Sequence, residues 1–549
     1  MDERKNIKKL LSLLLTYKKK IAIIFLSVLM STGLNCYIPI INKRIMDEGF
    51  IGKDFNILIK LSLLMLLFNV LMTLIDLYKE NLRIDIQGNI EIELKKEVFR
   101  HITKIKMEYL GNLNNTELCM NINTDAASMA NIADENMLFV ISKVFTILGG
   151  IVGLFYISWH LTLIVLIFIP FKYIIITFFS KFRNRLMSKY IESIQSYARW
   201  FSITIAGMKE IRIFNVYQQK EKEFDQKIDE SIKYNKLMNL VNEENQAADS
   251  LLVIILSTIL YIVGAKMIFN YQLSIGSIFA FITYSSYVTN PISAIISIKY
   301  YLSGILPSAK RYYDFMDLDE EDYTKGGQYL LFGKDILFQN VTFFYNREFP
   351  LFENINLSFS RGEKIAIIGK NGVGKTSIIE ILLRFYDKKS GNIKMDGIDI
   401  EMIPLRDYRM LFSIVSQEIY LFNDSIFNNI CLYQDINSNS VFQAIEDSGL
   451  KAFVDTHSMD YMVGENGSRL SGGQKQKVAL ARALLSDSPI IVFDEATSNM
   501  DTHSENQINN LLTTRLSKKI VIIISHRTDI LDVVDKIYLL KDGGVVQTK

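Results

Sequence analysis

The stretch GKNGVGKTS, residues 369–377, has the glycines, the lysine and the hydroxyl residues of a phosphate-binding loop at the required spacing. In such a loop the backbone N–H groups and the N-terminus of the next helix bind phosphates. We expect Lys375 to reach the β and γ phosphates of ATP and Thr376 to ligate Mg²⁺. A chance glycine-rich turn is the alternative. The predicted ATP-binding residues of this loop are Gly369, Lys370, Asn371, Gly372, Val373, Gly374, Lys375, Thr376 and Ser377.

Two adjacent acids follow an apolar run about 115 residues later in the chain. The run Ile490 to Phe493 leads directly into Asp494 and Glu495. With ATP in the loop, Asp494 is placed to hold the Mg²⁺ shell, and Glu495 to polarise the attacking water as a general base. An ordinary solvated strand end is the alternative. ATP and Mg²⁺ are the predicted cofactors.

A second glycine-rich stretch, SRLSGGQKQK at residues 468–477, has no obvious task in a chain that already has one phosphate-binding loop. It must serve another site or another chain.

The elements that position these residues belong to two kinds of domain. Beyond residue 330, short β-branched runs such as KIAIIG, PIIVFDE and KIVIIISH alternate with helical patterns, which is typical of a parallel α/β domain. The phosphate-binding loop follows the first of these strands and opens a helix. A polar, acidic stretch before this region predicts a linker at 307–330 and a nucleotide-binding domain at 331–549.

The first half of the chain has six stretches that are apolar and long enough to cross a bilayer. Short and long intervals alternate between these stretches, and the two long ones, 79–137 and 181–250, carry most of the lysine and arginine. We therefore expect the two long intervals and both termini on the cytoplasmic side. Residues 1–20 form a basic amphipathic stretch that we expect to lie on the membrane surface. The predicted transmembrane domain, 21–306, has its spans near 21–41, 58–78, 138–158, 161–180, 251–269 and 275–298.

Each long interval is interpreted as two helices that continue the spans and turn back. The turns are predicted near 112–125 and 206–215.

The composition fits a membrane half joined to a soluble half. Of 549 residues, 49% are hydrophobic and 22% are charged, and the net charge is only +2, so no nucleic-acid partner is indicated. The three cysteines, Cys36, Cys119 and Cys431, match no metal-binding spacing and no disulfide framework.

Taken together, these motifs resemble those of an ATP-binding cassette exporter of the half-transporter kind, over nearly the whole chain. Leu470, Ser471, Gly472, Gly473 and Gln474 match the family signature LSGGQ. Gln417 in VSQEIYLF matches the Q-loop, His526 in IISHR the switch histidine, and Tyr345 in VTFFY the aromatic residue that stacks on adenine. Residues 498–501 match the D-loop, although Asn499 and Met500 replace its usual Ala and Leu.

The resemblance implies a membrane protein with a six-helix α transmembrane domain of the exporter type, followed by an α/β P-loop NTPase nucleotide-binding domain. It implies a dimer, either of identical or of different half-transporters, in which the signature of one chain covers the ATP of the other. Glu495, His526 and Gln417 would be catalytic, and Thr376, Gln417 and Asp494 would hold Mg²⁺, Asp494 through water.

The function that follows is ATP-driven export of a solute by alternating access across a cell membrane, most simply the bacterial cytoplasmic membrane. Peptides, lipids and hydrophobic drugs are all open as cargo. The alternative is an ATP-gated membrane regulator or channel that moves no solute uphill.

Lys172 is the deepest charge in the predicted spans. Intramembrane charges often mark a transport pathway, so we expect Lys172 to face the central cavity and to meet an acidic group of the cargo. Snorkelling, or pairing with a neighbouring side chain, is the alternative.

Overall fold

The structure is a computed structural model, and it describes residues 2–111, 115–134, 138, 140–323, 332–345, 350–495, 502–525 and 533–549. These residues divide into two compact units. One unit comprises Met1–Ile102 and Asn114–Leu318, and the other comprises Thr103–Leu113 and Asp319–Lys549.

The described part of the first unit is helical. Its helices are α1 (Asp2–Leu15), α2 (Lys18–Arg44), α3 (Phe55–Ile102), α5 (Asn115–Ala130), α6 (Val140–Ile157), α7 (Trp159–Ala206), α8 (Met208–Ile213), α9 (Tyr217–Phe269) and α10 (Ile275–Met316), while α4 (Met107–Leu110) belongs to the second unit. A π-helical turn, Ile45–Ile51, continues α2, and a 3₁₀ turn, Asn131–Ala133, follows α5.

Four helical segments among the described residues are long and apolar enough to cross a membrane. They are Lys18–Ile51, Phe55–Ile102, Trp159–Ala206 and Tyr217–Phe269. A shorter apolar helix, Ser142–Ile157, coincides with the third predicted span, and α10 contains the sixth. The fold class is therefore confirmed for a helical membrane unit, and the count of six spans stays a prediction.

The long intervals turn where the helices end. Between α7 and α9 the chain turns through α8, as predicted for 206–215. The first predicted turn, 112–125, is misplaced. Helix α3 already ends at Ile102, and residues 115–125 lie in α5. The polar residues of 115–125 are compatible with a helix, so composition alone did not distinguish the turn from the helix.

Close approaches and caps bind the helices of this unit together. A Cβ on Gly153 of α6 would lie 2.6 Å from the Tyr284 ring of α10, so only glycine fits there. Asp47, in the π-helical turn, accepts hydrogen bonds from the Ser274 hydroxyl at 2.5 Å and the Gly276 N–H at 2.9 Å. The Asp47 carboxylate thus lies at the N-terminus of α10, where the helix dipole favours it.

The second unit contains two sheets. Its strands are β1 (Asp335–Phe343), β2 (Phe352–Ser360), β3 (Lys364–Gly369), β4 (Ser390–Met395), β5 (Ile398–Asp399), β6 (Phe412–Val415), β7 (Ile490–Asp494), β8 (Ile520–Ile524), β9 (Lys536–Lys541) and β10 (Gly544–Gln547). The larger sheet has the order β10-β9-β3-β8-β7-β6, and its pairs are parallel except for β10 against β9. The smaller, antiparallel sheet has the order β2-β1-β4-β5.

The three strands predicted from KIAIIG, PIIVFDE and KIVIIISH are β3, β7 and β8, and they are adjacent at the centre of the larger sheet. All five residues of β7 and of β8 are buried. Such continuous apolar runs are what a parallel sheet covered on both faces requires. The carboxyl ends of the parallel strands therefore meet at one edge, where β3 leads into the phosphate-binding loop and β7 ends in Asp494.

The helices of the second unit surround these sheets. They are α4 and, after β3, α11 (Lys375–Leu382), α12 (Leu405–Arg409), α13 (Ile426–Cys431), α14 (Ser438–Asp447), α15 (Lys451–His457), α16 (Gly472–Leu485) and α17 (Thr502–Thr513).

Candidate nucleotide-binding site

The phosphate-binding loop connects β3 to α11, which is the context that the sequence predicted. Gly374 has φ of 101°, and a Cβ there would lie 2.8 Å from Leu351, so the loop requires glycine at this position. The Lys375 ammonium donates hydrogen bonds to the carbonyls of Gly369 and Lys370, at 3.0 and 3.1 Å. Its side chain thus folds back over the loop that it would share with a phosphate.

Tyr345 lies beside the start of α11. Its hydroxyl contacts the Ser377 hydroxyl at 2.7 Å and donates to the Glu380 carboxylate at 2.5 Å, while its ring stays half exposed. Burial and the Glu380 hydrogen bond raise the pKa of the Tyr345 phenol. The hydroxyl is therefore fixed, and the ring presents an open face of the kind on which an adenine stacks.

The two acids at the end of β7, Asp494 and Glu495, differ in their surroundings and in their backbone conformation. Asp494 is buried, and the Thr376 hydroxyl lies 3.5 Å from its carboxylate. Burial raises the pKa of Asp494. Glu495 has φ of 50°, a conformation that costs free energy in a non-glycine residue and that recurs at functional sites.

Gln417 and Glu495 are joined by a hydrogen bond in which the Gln417 amide donates to the Glu495 carboxylate at 2.6 Å. Gln417 follows β6, which pairs with β7 in the larger sheet. The two strand ends therefore bring together a glutamine and a glutamate that are 78 residues apart in the chain.

A cavity of about 390 Å³ lies in front of these groups. Its lining includes Tyr345, Asn371, Gly372, Gly374, Lys375, Thr376, Ser377, Gln417 and Glu495, together with Leu351, which the sequence did not single out. Burial lowers the pKa of the Lys375 ammonium, and the Glu495 and Asp494 carboxylates oppose that shift. A cation near two carboxylates and a row of backbone N–H groups is the arrangement that a triphosphate and a divalent cation would complete.

The signature stretch opens α16. Ser471 caps the helix, accepting a hydrogen bond from the Gln474 N–H at 3.3 Å, and the Gln474 side chain accepts one from the Ser471 N–H at 2.8 Å. Leu470 is buried, whereas Ser471 and Gly472 are exposed. Among the described residues that line the cavity, none comes from the stretch Leu470 to Gln474.

Two predicted features lie outside the described residues: His526 and the D-loop stretch 498–501. The roles of His526 and of the other site residues stay predictions.

Lys172 does not face an open cavity in this chain, which corrects that expectation. Its side chain is fully buried, and its ammonium lies 2.8 Å from the Asp249 carboxylate, which brings α7 and α9 together. The pairing that the sequence left as an alternative is therefore the one that the structure contains. Asp249 was missed because it lies just before the apolar run at 251–269, where it resembled an ordinary polar flank.

Comparison with known proteins agrees with this architecture. The family model described as "ABC transporter transmembrane region" matches residues 21–292, and the model described as "ABC transporter" matches residues 352–498. The chain therefore belongs to the ATP-binding cassette transporters, with the transmembrane region and the cassette fused in one chain, as in exporter half-transporters.

Individual relatives extend over most of the chain. An "ATP-dependent lipid A-core flippase" of Vibrio vulnificus (strain CMCP6) is 27% identical over 556 aligned residues, covering 99% of this chain and 94% of the relative. A flippase of the same name from Nitrosococcus oceani is 29% identical and covers 83% of this chain and 77% of its own. The solved structure of a bacterial Atm1-family ABC exporter with ATP bound superposes with a TM-score of 0.83 at 22% identity, over 96% of this chain and 95% of that one, which shows a shared fold.

The protein is therefore a multi-pass membrane protein that binds ATP and couples its hydrolysis to transport.

Proposed function

We propose that this chain exports an amphipathic lipid across the bacterial cytoplasmic membrane, as a dimer with two ATP molecules at the interface of its cassettes. The observation that carries the proposal is the cavity in which Lys375, Thr376, Gln417 and Glu495 meet, in a chain that also has membrane helices. The lipid as cargo rests on the relatives, whose names describe lipid flippases.

An apolar cavity in the helical unit supports a lipid. It has a volume of about 560 Å³ and lies between α2, α6 and α10. Phe145, Leu148 and Val152 line one side, and Leu29 and Ile40 line another. Such a surface has few groups that recognise a peptide backbone, and it suits an acyl chain.

The hydrolytic roles follow from the contacts of each side chain. Lys375 holds the β and γ phosphates once they replace its own loop carbonyls as hydrogen-bond partners. Glu495 accepts a proton from the attacking water, and Gln417, hydrogen-bonded to Glu495, orients that carboxylate.

The residues present fit Mg²⁺, which is proposed as the cofactor. Thr376, Gln417 and Asp494 offer a hydroxyl, an amide carbonyl and a carboxylate, all of them the oxygen ligands that Mg²⁺ prefers. When bound, Mg²⁺ would neutralise charge on the phosphates. Burial raises the pKa of the Asp494 carboxyl, and a bound cation would favour its carboxylate form.

The dimer is proposed because the signature stretch lies apart from the cavity that its own chain lines. The Ser471 hydroxyl, which can still donate its own proton, and the Gly473 N–H lie at the N-terminus of α16, where the helix dipole favours an anion. We propose that these donors bind the γ-phosphate held by the partner subunit. A homodimer then has two competent sites.

Transport assays separate export from the alternative, an ATP-gated channel or regulator. The full chain is reconstituted in vesicles with the cassettes outside, and movement of labelled lipid A, of a peptide library or of hydrophobic dyes is followed with and without ATP. The proposal expects ATP-dependent movement of the lipid against its gradient. Passive lipid or ion flux that ATP merely switches on would support the channel, and stimulation of ATP hydrolysis by peptides alone would remove lipid as cargo.

A further inference from the structure

The second unit contains a junction at which two segments meet the cassette, and the nucleotide site does not explain it. The first connecting segment, residues 103–111, follows the long helix α3 and lies in the same unit as the cassette. The linker end, residues 319–323, follows α10. Both segments adjoin membrane helices in the chain, and both contact the cassette.

The first connecting segment and the linker end pair with each other through their backbones. The Glu321 N–H donates to the Lys104 carbonyl at 2.6 Å, and the Lys106 N–H donates to the Asp319 carbonyl at 3.2 Å. Ile105 and Glu320 form an antiparallel bridge between these bonds. A displacement of one segment must therefore carry the other with it or break these bonds.

Glu321 fixes this pair of segments to the cassette. Its carboxylate is only 7% exposed, and both oxygens accept hydrogen bonds from the two terminal nitrogens of Arg409 at 2.7 Å. A two-pronged arginine–carboxylate contact with little exposure is strong and geometrically specific. Surface ion pairs elsewhere on the cassette, such as Lys451–Glu446 with both side chains more than half exposed, have no such constraint.

Arg409 also contacts the residues that follow the phosphate-loop helix, α11, and so connects Glu321 to the end of that helix. Its remaining N–H groups donate to the carbonyls of Leu383 and Arg384, both at 3.0 Å, and its guanidinium lies over the Phe385 ring at 4.7 Å. These residues directly follow α11, whose first residue is Lys375. A cation at the C-terminus of a helix is favourable, so one guanidinium stabilises both the helix end and the linker acid.

The same stretch of cassette also reaches the adenine side of the nucleotide site. Tyr386 packs edge-on against Tyr345, with ring centroids 5.0 Å apart. The next residue, Asp387, pairs with Lys106 of the first connecting segment at 3.0 Å, and this hydrogen bond raises the pKa of the Lys106 ammonium. Residues 383–387 therefore contact Tyr345 of the nucleotide site, and they are joined to the first connecting segment directly and to the linker end through Arg409.

We propose that Glu321 and Arg409 form a positioning ion pair that fastens the first connecting segment, through the linker, to the end of the phosphate-loop helix. The pair transmits ATP-driven movement of the cassette to the membrane helices, and it takes no part in the chemistry of hydrolysis. This inference rests on the proposed function, since it assumes that ATP drives a change in the membrane unit.

The test uses the full chain in lipid nanodiscs, with its three native cysteines replaced and a spin label at Gln272→Cys, in the exposed turn between α9 and α10. Electron–electron distances between the labels of the two protomers are measured without nucleotide and with ATP plus vanadate. Basal ATP hydrolysis is measured on the same samples. The variant is Glu321→Gln, which removes the charge and keeps the shape and the backbone bonds.

The matched control is Asp319→Asn, which removes an exposed charge two residues earlier in the same linker. We expect Glu321→Gln to reduce the ATP-induced population shift at least about fivefold while basal hydrolysis stays within about twofold of wild type. Asp319→Asn should respond as wild type does. A Glu321→Gln protein that responds normally, or that loses hydrolysis and the distance response equally, would overturn the proposal.

A charge exchange at the exposed Lys106–Asp387 contact keeps the proposal testable if Glu321→Gln folds poorly. Lys106→Asp should weaken the distance response, and combining it with Asp387→Lys should restore it. A double variant that is no better than the single one would contradict the proposal. A wild-type protein whose label distances ignore ATP would instead count against the proposed function.

Discussion

Two glycine-rich segments of the cassette open helices in similar ways, yet they have different surroundings. The phosphate-binding loop at 369–377 lies at the edge of the central sheet, facing Gln417 and Glu495 across a cavity of about 390 Å³. The signature segment, Leu470 to Gln474, caps α16 and contributes no residue to that cavity among those described. The first segment faces chemical partners in its own chain, whereas within the described part of the chain the second segment lines no such cavity.

This difference shows that a glycine-rich helix start identifies an anion-binding element. It does not show whether the anion is bound in the site of the same chain or in that of a partner chain. The buried ends of β6 and β7 make the first segment part of a reaction site, because they bring an amide and a carboxylate to the same edge. In the second segment, the reciprocal capping hydrogen bonds of Ser471 and Gln474 stabilise the N-terminus of α16.

Replacement of Glu495 should have the largest effect. It removes the general base that faces the phosphate-binding loop, and it leaves ATP binding by that loop and by the signature segment intact. Glu495→Gln is expected to lower ATP hydrolysis by about 100-fold or more, the range for loss of a general base, while the protein accumulates as an ATP-bound dimer. Steady-state hydrolysis and size-exclusion chromatography with ATP measure the two properties. Glu418→Gln, a nearby exposed acid, should hydrolyse normally, and near-normal hydrolysis by Glu495→Gln would contradict the assigned role.

Replacement of Lys375 should affect ATP binding itself. Lys375→Ala removes a charge-assisted contact to phosphate worth about 1.5–3 kcal/mol, so ATP affinity should fall about 10- to 100-fold. Binding of a fluorescent ATP analogue to the detergent-solubilised chain measures this. Lys370→Ala is the control, because the exposed Lys370 side chain leaves the loop backbone unchanged when removed. Equal losses in the two variants would show that general charge, rather than the position of Lys375, binds the nucleotide.

Replacement of Ser471 should separate the two segments. Ser471→Ala removes a helix cap and should cost about 1 kcal/mol of unfolding free energy, and it should lower hydrolysis several-fold without changing ATP affinity. Ser425→Ala is a matched control, since Ser425 caps α13 through a bond from the Asn428 N–H at 3.1 Å. The control should lose similar stability and keep its hydrolysis. If both variants lose hydrolysis alike, the signature acts only through stability.

The smallest effect is expected at Tyr345. Tyr345→Leu removes a ring interaction worth about 0.5–1.5 kcal/mol, so the KM for ATP should rise a few-fold at unchanged kcat. Tyr345→Phe keeps the ring and loses only the bonds to Ser377 and Glu380, and its KM should lie closer to that of wild type. Equal rises of KM in Tyr345→Phe and Tyr345→Leu would assign the contribution to the hydroxyl, which both variants lose.

Much of this site followed from local sequence, because the phosphate-binding loop and the acid pair each lie directly after a short, β-branched apolar run of the kind that forms a buried strand. Gln417 was a motif match alone, and its contact with Glu495 depends on the pairing of β6 with β7, which no local pattern contains. The same limit explains Lys172: its partner Asp249 lies 77 positions away on another helix. Glu321 looked like one of several linker acids, because its partner Arg409 is 88 residues further on.

The most direct test of the divided site combines two defective chains. Lys375→Ala and Gly473→Asp homodimers should both hydrolyse ATP poorly, each having two damaged sites. After the two chains are mixed and allowed to exchange protomers, half of the dimers should contain one intact site, so hydrolysis should recover to about a quarter of wild type. A mixture no more active than the average of its two parents would contradict the account that the signature of one chain completes the site of the other.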